Sequence, residues 1–378
     1  MRRVEIAGAG FAGLVASIAL AERGWQVRVH EKSSFVRAEG FGLSTQENML
    51  KVLEALGVRE QVVAGGQRIV RRKVLDDSGR TLMETADRSN DQTARGYGYR
   101  ISRSVIIAIL LERARKAGVE IITDSPVAGA DPAGALLLSD GRRLEADLII
   151  GSDGINSAVR DSLDLQVHRT LRNDGALRVL VPQPPVHLDP SEDGATRESW
   201  SGSRRFIISR TKPDERYVAM SCLASDETGV RTPIDVASWS ATFPALGPFF
   251  AWMLENANWT TGRWVRFQTL RLSSWHSGKV AVVGDAAHAM PPDLGQGAGC
   301  AMMNALSLAV HAPDLAAWEA AERPLTEHTQ RWAGIYGAAT NLPGPLRSLA
   351  FQAIGRVPWL RNRYQRTARH VPTGYVAP

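Results

Sequence analysis

The chain has 378 residues, 44% hydrophobic and 22% charged, with a formal net charge of +6. That is an ordinary globular composition with room for about two or three domains. Its Lys and Arg are scattered rather than striped among aromatics, which argues against nucleic acid, and no apolar run approaches the roughly 20 residues of a membrane helix.

The only two cysteines, Cys222 and Cys300, are far apart and in no metal-ligand spacing, so no metal site is expected. The opening strand begins almost at Met1, so no signal segment is expected. A reduced, cytoplasmic setting is therefore expected.

The first thirty-one residues organise the chain. Residues 3–7 are predicted as a short buried strand, followed by Gly8-Ala9-Gly10-Phe11-Ala12-Gly13. These glycines open a helix over 14–23 that stops at Gly24, and a second apolar strand, 26–30, ends on Glu31. Strand, GxGxxG turn, helix and strand with a terminal acid form a dinucleotide-binding fingerprint. Gly8 permits the tight turn, Gly10 admits a pyrophosphate to the backbone, and Gly13 lets helix and strand pack closely. The helix N-terminus offers unpaired N–H groups to phosphate, and Glu31 can accept from ribose hydroxyls. Ala12 in the turn and Lys32 beside Glu31 belong to the same candidate site. The stretch alone does not separate FAD from NAD.

A loop over 32–41 carries Arg37 and leads to Gly40-Phe41-Gly42-Leu43. Helical spacing of Met49, Leu50, Leu53 and Leu56 predicts a helix over 46–57. A hairpin is expected from strands 69–75 and 80–84 around Asp76-Asp77-Ser78-Gly79, then a polar loop over 85–96. Ile101-Ser102-Arg103-Ser104 leads into an amphipathic helix over 105–117, with Ser102 or Ser104 as its N-cap. Strands are predicted at 119–123, 135–138 and 142–150, the last running into Gly151-Ser152-Asp153-Gly154.

From about Asp174 the pattern becomes that of an antiparallel sheet, with strands at 177–182, 199–210 and 216–223 and a Pro- and acid-rich connection at 183–196. A helix is expected over 244–258. The strand 279–283 then ends in Gly284-Asp285, a proline–glycine loop follows, and a small-residue helix spans 298–310. The chain from 312 onward reads as mostly helical. The fold class is α/β: a Rossmann-like dinucleotide domain with an inserted antiparallel-sheet domain and a helical C-terminus. Residues 1–71, 97–173 and 268–320 are assigned to the first domain, 72–96 and 174–267 to the substrate domain, and 321–378 to the C-terminal helical segment.

Three separated segments carry the chemistry: the GxGxxG unit; Gly151-Ser152-Asp153-Gly154 with Ser157 and Arg160; and Gly284-Asp285-Ala286-Ala287-His288, Pro291-Pro292 and Gly295-Gln296-Gly297-Ala298-Gly299. In this order and spacing they resemble the single-component FAD-dependent aromatic hydroxylases, the para-hydroxybenzoate hydroxylase family, up to about residue 330. The resemblance implies FAD as cofactor, NADH or NADPH as transient reductant and O2 as co-substrate. It implies hydroxylation of a hydroxylated aromatic or pyridine carboxylate, with or without ring opening, via a flavin C4a-hydroperoxide. A net positive charge fits an interior that receives anionic cofactors and substrate. Only one GxGxxG unit is present, in keeping with a family whose nicotinamide has no Rossmann domain of its own.

The resemblance also implies residue roles. Asp285 would hold the ribityl chain, and the helix opened by Gly297, Ala298 and Gly299 would point its amides at the flavin. Asp153 would serve the second fingerprint, Arg103 and Arg37 would contact FAD, and Pro292 would cap the flavin. His288 reads as structural. Within the family, strings such as His30-Glu31-Lys32-Ser33-Ser34 and Gln296-Gly297-Ala298-Gly299-Cys300-Ala301-Met302 resemble the branch typified by 2-methyl-3-hydroxypyridine-5-carboxylate oxygenase. In that branch an arginine and a tyrosine on neighbouring strands hold the substrate, and Arg205 and Tyr217 match them. Arg205, Tyr217 and Pro292 are thus the candidate catalytic residues. The pocket departs from that branch at Arg72, where it has a tyrosine, and at Ser44 and Gln46, where it has an aromatic pair. An added arginine implies a differently placed anionic group, most simply a carboxylate, with Arg72 as a further binder; the bland alternative is a solvated arginine. The rival functions are a flavin dehydrogenase or reductase that inserts no oxygen, and a non-catalytic FAD-binding protein. No pattern speaks to oligomeric state.

Overall fold

The computed structural model describes residues 1–36, 41–86, 98–185 and 194–377. Arg37 and most of the expected polar loop lie outside these residues.

The apolar strand Arg3–Ala7, buried from Val4 onward, sits inside a six-stranded sheet. The order across it is His276–Ser277, Val280–Val282, Leu148–Gly151, Arg3–Ala7, Gln26–His30 and Glu120–Ile122. All pairings are parallel except that of the short edge strand His276–Ser277. Near-continuous apolar runs such as Leu148-Ile149-Ile150 suit strands covered on both faces. The helix Phe11–Ala21 packs on this sheet with ten of its eleven residues buried. Gly13 makes that approach possible, because a Cβ there would overlap the Gly8 carbonyl oxygen.

The second large sheet has seven strands, in the order Trp264–Leu272, Val167–Pro182, Glu215–Leu223, Arg204–Lys212, Ala195–Ser201, Arg71–Leu75 and Thr81–Ala86. Its side chains alternate between faces. Phe206, Ile208, Val218, Met220 and Val179 face one way, against the helices Val236–Thr242 and Gly247–Asn256 with their Trp239, Phe249 and Phe250. Thr196, Glu198, Arg205, Ile207 and Tyr217 face the other way, into a cavity. A smaller sheet of Gly42–Thr45, Tyr99–Ser102 and Gly66–Arg68 lies alongside.

Several expected elements divide differently. The expected strand 199–210 is two strands, Ala195–Ser201 and Arg204–Lys212, folded at Gly202 with φ +52° and closed by the Ser201–Arg204 pair. The expected strand 142–150 is also two, Arg143–Glu145 and Leu148–Gly151, which join different sheets. Antiparallel pairing starts before Asp174, since Val167–Pro182 is one strand of 16 residues. Ser102 stands at the N-cap of the helix Arg103–Lys116, but its hydroxyl pairs with that of Ser104 rather than with the backbone.

The C-terminal helices do not stand apart. Phe351 and Ile354 of Gly344–Arg356 pack with Val74, Leu82, Met83 and Trp200 at the hairpin edge of the seven-stranded sheet. Among the described residues, no helix is long and apolar enough to cross a membrane.

Candidate active site

A cavity of about 690 Å³ runs from the C-terminal ends of the parallel strands to the inner face of the seven-stranded sheet. At its first end the three motifs converge. Ser152 Oγ donates to the carbonyls of Ala7 (2.7 Å) and Gly8 (3.0 Å). The fully buried Arg160 donates to Ala286 O (3.2 Å), joining the second motif to the third. A Cβ on Gly284 would lie 3.3 Å from that of Ala12, joining the third to the first.

Gly10, Ala12, Arg103, Asp285, Gly297 and Ala298 all line this end. Gly10 has open space where a Cβ would stand. Arg103 lies over the Phe11 ring at 4.9 Å, and its Nε is buried without a hydrogen-bond partner. Burial holds Arg103 below its ordinary pKa, partly offset by Asp285. Asp285 faces the cavity, and the surrounding protein raises its carboxyl, with Arg103 opposing. A buried orphan donor, an acid, an open glycine and the N-terminus of the helix Gly297–His311 together fit a phosphate-bearing flavin dinucleotide.

The remaining expected cofactor residues stand behind this wall. Gly8 and Gly13 shape the turn, and Gly299 packs near Gln296 and Asn48. Glu31 accepts from the amides of Ala9 (3.2 Å) and Ser33 (3.1 Å), while Lys32 is exposed. Asp153 accepts from Val159 N through one oxygen, and its other oxygen is buried without a partner. His288 is buried against Trp275 and Asn304, and burial lowers it to about 4, so it stays neutral and off the cavity wall.

At the second end Arg205 and Tyr217 share the inner face of adjacent strands. The rungs Arg205–Ser221, Ile207–Ala219 and Ser209–Tyr217 place them two rungs apart, roughly 13 Å along the strands. Neither Arg205 nor Arg72 is a free cation. Arg205 lies 2.9 Å from Glu198 and 2.7 Å from Asp293, beneath the rings of Trp200 and Tyr336. Arg72 donates to Glu198 (2.7 Å) and to the hydroxyl of Tyr364 (2.6 Å), so it is not a solvated surface arginine. Burial works against ionising Glu198, yet Arg205 and Arg72 outweigh it and bring the carboxyl down to about 2. Burial likewise opposes charge on Arg205, and Glu198 and Asp293 outweigh it.

Pro292 is exposed at the cavity, and Gln46 donates to Leu294 O (2.9 Å) across from it. Glu198, Asp293, Tyr336, Tyr364 and Arg100 are site residues that sequence reasoning missed. Arg100 leaves a faint trace, one position ahead of the expected Ile101-Ser102-Arg103 lead-in. The others belong to loops, helices or a misdivided strand and carry no local signal.

Residues 1–325 match the FAD binding domain family. The chain belongs to that family. It is similar to the 2-heptyl-3-hydroxy-4(1H)-quinolone synthase of Mycobacteroides abscessus, at 32% identity over 93% of this chain and 94% of the relative. The kynurenine 3-monooxygenase of Stenotrophomonas maltophilia is 25% identical over 88% of this chain and 78% of its own. Among solved structures, the tetrameric form of 2-methyl-3-hydroxypyridine-5-carboxylic acid oxygenase superposes with a TM-score of 0.86. It is 36% identical and covers 100% of this chain and 98% of its own. The chain is an FAD-dependent aromatic monooxygenase that uses NAD(P)H as reductant.

Proposed function

We propose that the enzyme uses O2 to hydroxylate a ring that already carries a hydroxyl group, of the aromatic or pyridine carboxylate class. The observation that carries this reading is the continuity of the cavity from the Arg103–Asp285 end to the wall bearing Arg205 and Tyr217. FAD, when bound, supplies the reduction and oxygen-activation chemistry; the chain's residues bind, orient and enclose. Arg103, Asp285 and the amides at Gly297 and Ala298 would hold it, with Pro292 beside it. On this reading the chain has a dinucleotide part and a substrate part that meet at this cavity, with the strands Val167–Pro182 and Trp264–Leu272 running from one to the other.

Tyr217 lines the cavity, and its hydroxyl has no hydrogen-bond partner among the described residues. It is placed to hydrogen-bond the ring hydroxyl and favour its electron-rich, deprotonated form. Ile207 and Ala219 make the apolar floor between Tyr217 and Arg205. Arg205 and Arg72, with their charges taken by Glu198 and Asp293, fix the far wall.

The test is NADH and NADPH oxidation by FAD-loaded enzyme against hydroxypyridine carboxylates, hydroxybenzoates and 2-heptyl-4(1H)-quinolone, with product masses recorded. The expected result is faster oxidation with a carboxylate and a product that gains one oxygen atom. A gain of two with loss of ring absorbance means ring opening. Turnover of the quinolone alone would move the substrate class toward the quinolones, the ring system in the mycobacterial relative's name. No stimulation by any ring compound overturns the proposal.

A further inference from the structure

The two arginines expected to receive a substrate anion are both neutralised by protein carboxylates, which leaves open what would meet a substrate's charge. Arg100 is only 6% exposed and lines the same cavity. It stands in Tyr99–Ser102, the central strand of the small sheet, and reaches across to the large one. There its Nε donates to Ser209 Oγ (3.2 Å) and its guanidinium lies 4.8 Å from the centre of the Tyr217 ring. Among the described residues no carboxylate pairs with it. Burial lowers its pKa to about 10, and the nearby Arg72 adds to the effect.

A buried arginine without a counter-charge is costly, and folds rarely keep one unless something arrives to pair with it. Of the other arginines on the wall, Arg178 is partly exposed beside Phe267, Arg266 bonds the Arg172 carbonyl, and Arg369 is exposed. The backbone makes room for Arg100 at Gly42. A Cβ there would stand 2.8 Å from Thr211 Cγ2, 3.0 Å from Arg100 Cδ and 3.3 Å from Tyr217 Cβ.

We infer that Arg100 is the substrate-anion anchor, so the preferred substrate is a hydroxylated ring carrying one carboxylate or equivalent anion. This rests on the hydroxylase reading above. Arg100 takes the anion through the planar N–H edge not used by Ser209. Tyr217, held under its guanidinium, takes the ring hydroxyl. One cation beside one free phenol fixes both the ring's position and its in-plane orientation.

The test is calorimetric binding to the FAD-loaded enzyme of two matched pairs, 3-hydroxybenzoate with 3-hydroxybenzamide and 5-hydroxynicotinate with 5-hydroxynicotinamide. Each amide keeps the shape of its acid and loses the charge. Wild type is expected to bind the acids at least roughly tenfold more tightly than the amides. Arg100→Gln should bring the ratio close to one, and Arg100→Lys should keep part of it. FAD content and melting temperature report folding, and if the Gln variant does not load FAD the Lys variant decides. Equal binding of acids and amides by wild type overturns the inference. So does a preference that survives in the Arg100 variants, or one abolished by Arg178→Gln instead. Oxygenated product is read separately: Arg100-dependent binding without oxygenation would reject the hydroxylase reading and keep the anion site.

Discussion

Glu198 holds the Arg72–Arg205 wall of the cavity together. It is fully buried, and it bonds Arg72, Trp200 Nε1 (2.8 Å) and the Tyr336 hydroxyl (2.8 Å), with Arg205 at 2.9 Å. Removing its charge leaves Arg72 without a carboxylate and Arg205 with Asp293 alone, two buried arginines sharing one counter-charge. Glu198→Gln is therefore expected to lower unfolding free energy by about 3 kcal/mol or more, read from urea denaturation. The pH dependence follows from the same residue. Its folded pKa of about 2 lies below the ordinary 4.5, so the unfolded chain takes up the proton first. The stabilisation is complete above about pH 4.5 and is lost as pH falls toward about 2, a difference on the order of 3 kcal/mol. Glu198→Gln should flatten stability across that window. Equal slopes for the two proteins would show that another group controls acid unfolding. At this scale the sequence was legible only where a motif spoke. The side-chain alternation Arg205-Phe206-Ile207-Ile208 and its register with Tyr217 are local. The identity of the carboxylates opposite Arg205 is not, because Asp293 belongs to a distant loop.

Elements were legible where one local pattern spans the whole element. The opening strand–helix–strand unit and the helix Gly297–His311 fall close to their expected bounds because strand burial and helix packing repeat residue by residue. The pair Ala195–Ser201 and Arg204–Lys212 merged in the reading because the only break between Trp200 and Phe206 is the short polar run Ser201-Gly202-Ser203, a turn signal too brief to separate two strands by pattern; Gly202 takes the positive φ of +52° that the tight turn needs. The C-terminal helices were legible as helices but not as part of the site, since nothing local says which sheet edge they cover. Their anchorage is specific. The Phe351 ring packs at a tilt against those of Trp200 and Tyr336, with centroids 5.5 Å and 5.1 Å away, and Arg347 bonds the Gly202 carbonyl. Phe351→Ala should lower stability by about 3–5 kcal/mol. Because Tyr364 of the next helix lines the chamber and bonds Arg72, the same variant should raise KM for the ring substrate while FAD content stays near that of wild type. A stability loss with no change in KM would show that the helices only cover the sheet.

At the scale of the whole molecule the single cavity couples the two sheets. One end is walled by Gly10, Ala12, Arg103 and Asp285, the other by Arg100, Tyr217 and Arg205, and among the described residues no layer of protein separates them. A flavin held at the first end would form a wall of the second. It would then exclude water from beside Arg100, where a lower effective dielectric strengthens an ion pair. The anionic ring should therefore bind the FAD-loaded enzyme more tightly than the FAD-free chain, by roughly tenfold for a coupling of ordinary size. Linkage makes the effect reciprocal, so 5-hydroxynicotinate must tighten FAD binding by the same factor. Titrating FAD into the FAD-free chain with and without saturating 5-hydroxynicotinate measures one side of the cycle, and titrating the acid into both forms measures the other. Equal factors well above one establish that cofactor and substrate share an enclosed chamber. A factor of one on both sides would mean that the acid binds outside the space the flavin walls off, and the assignment of one continuous active site to this cavity would fall with it.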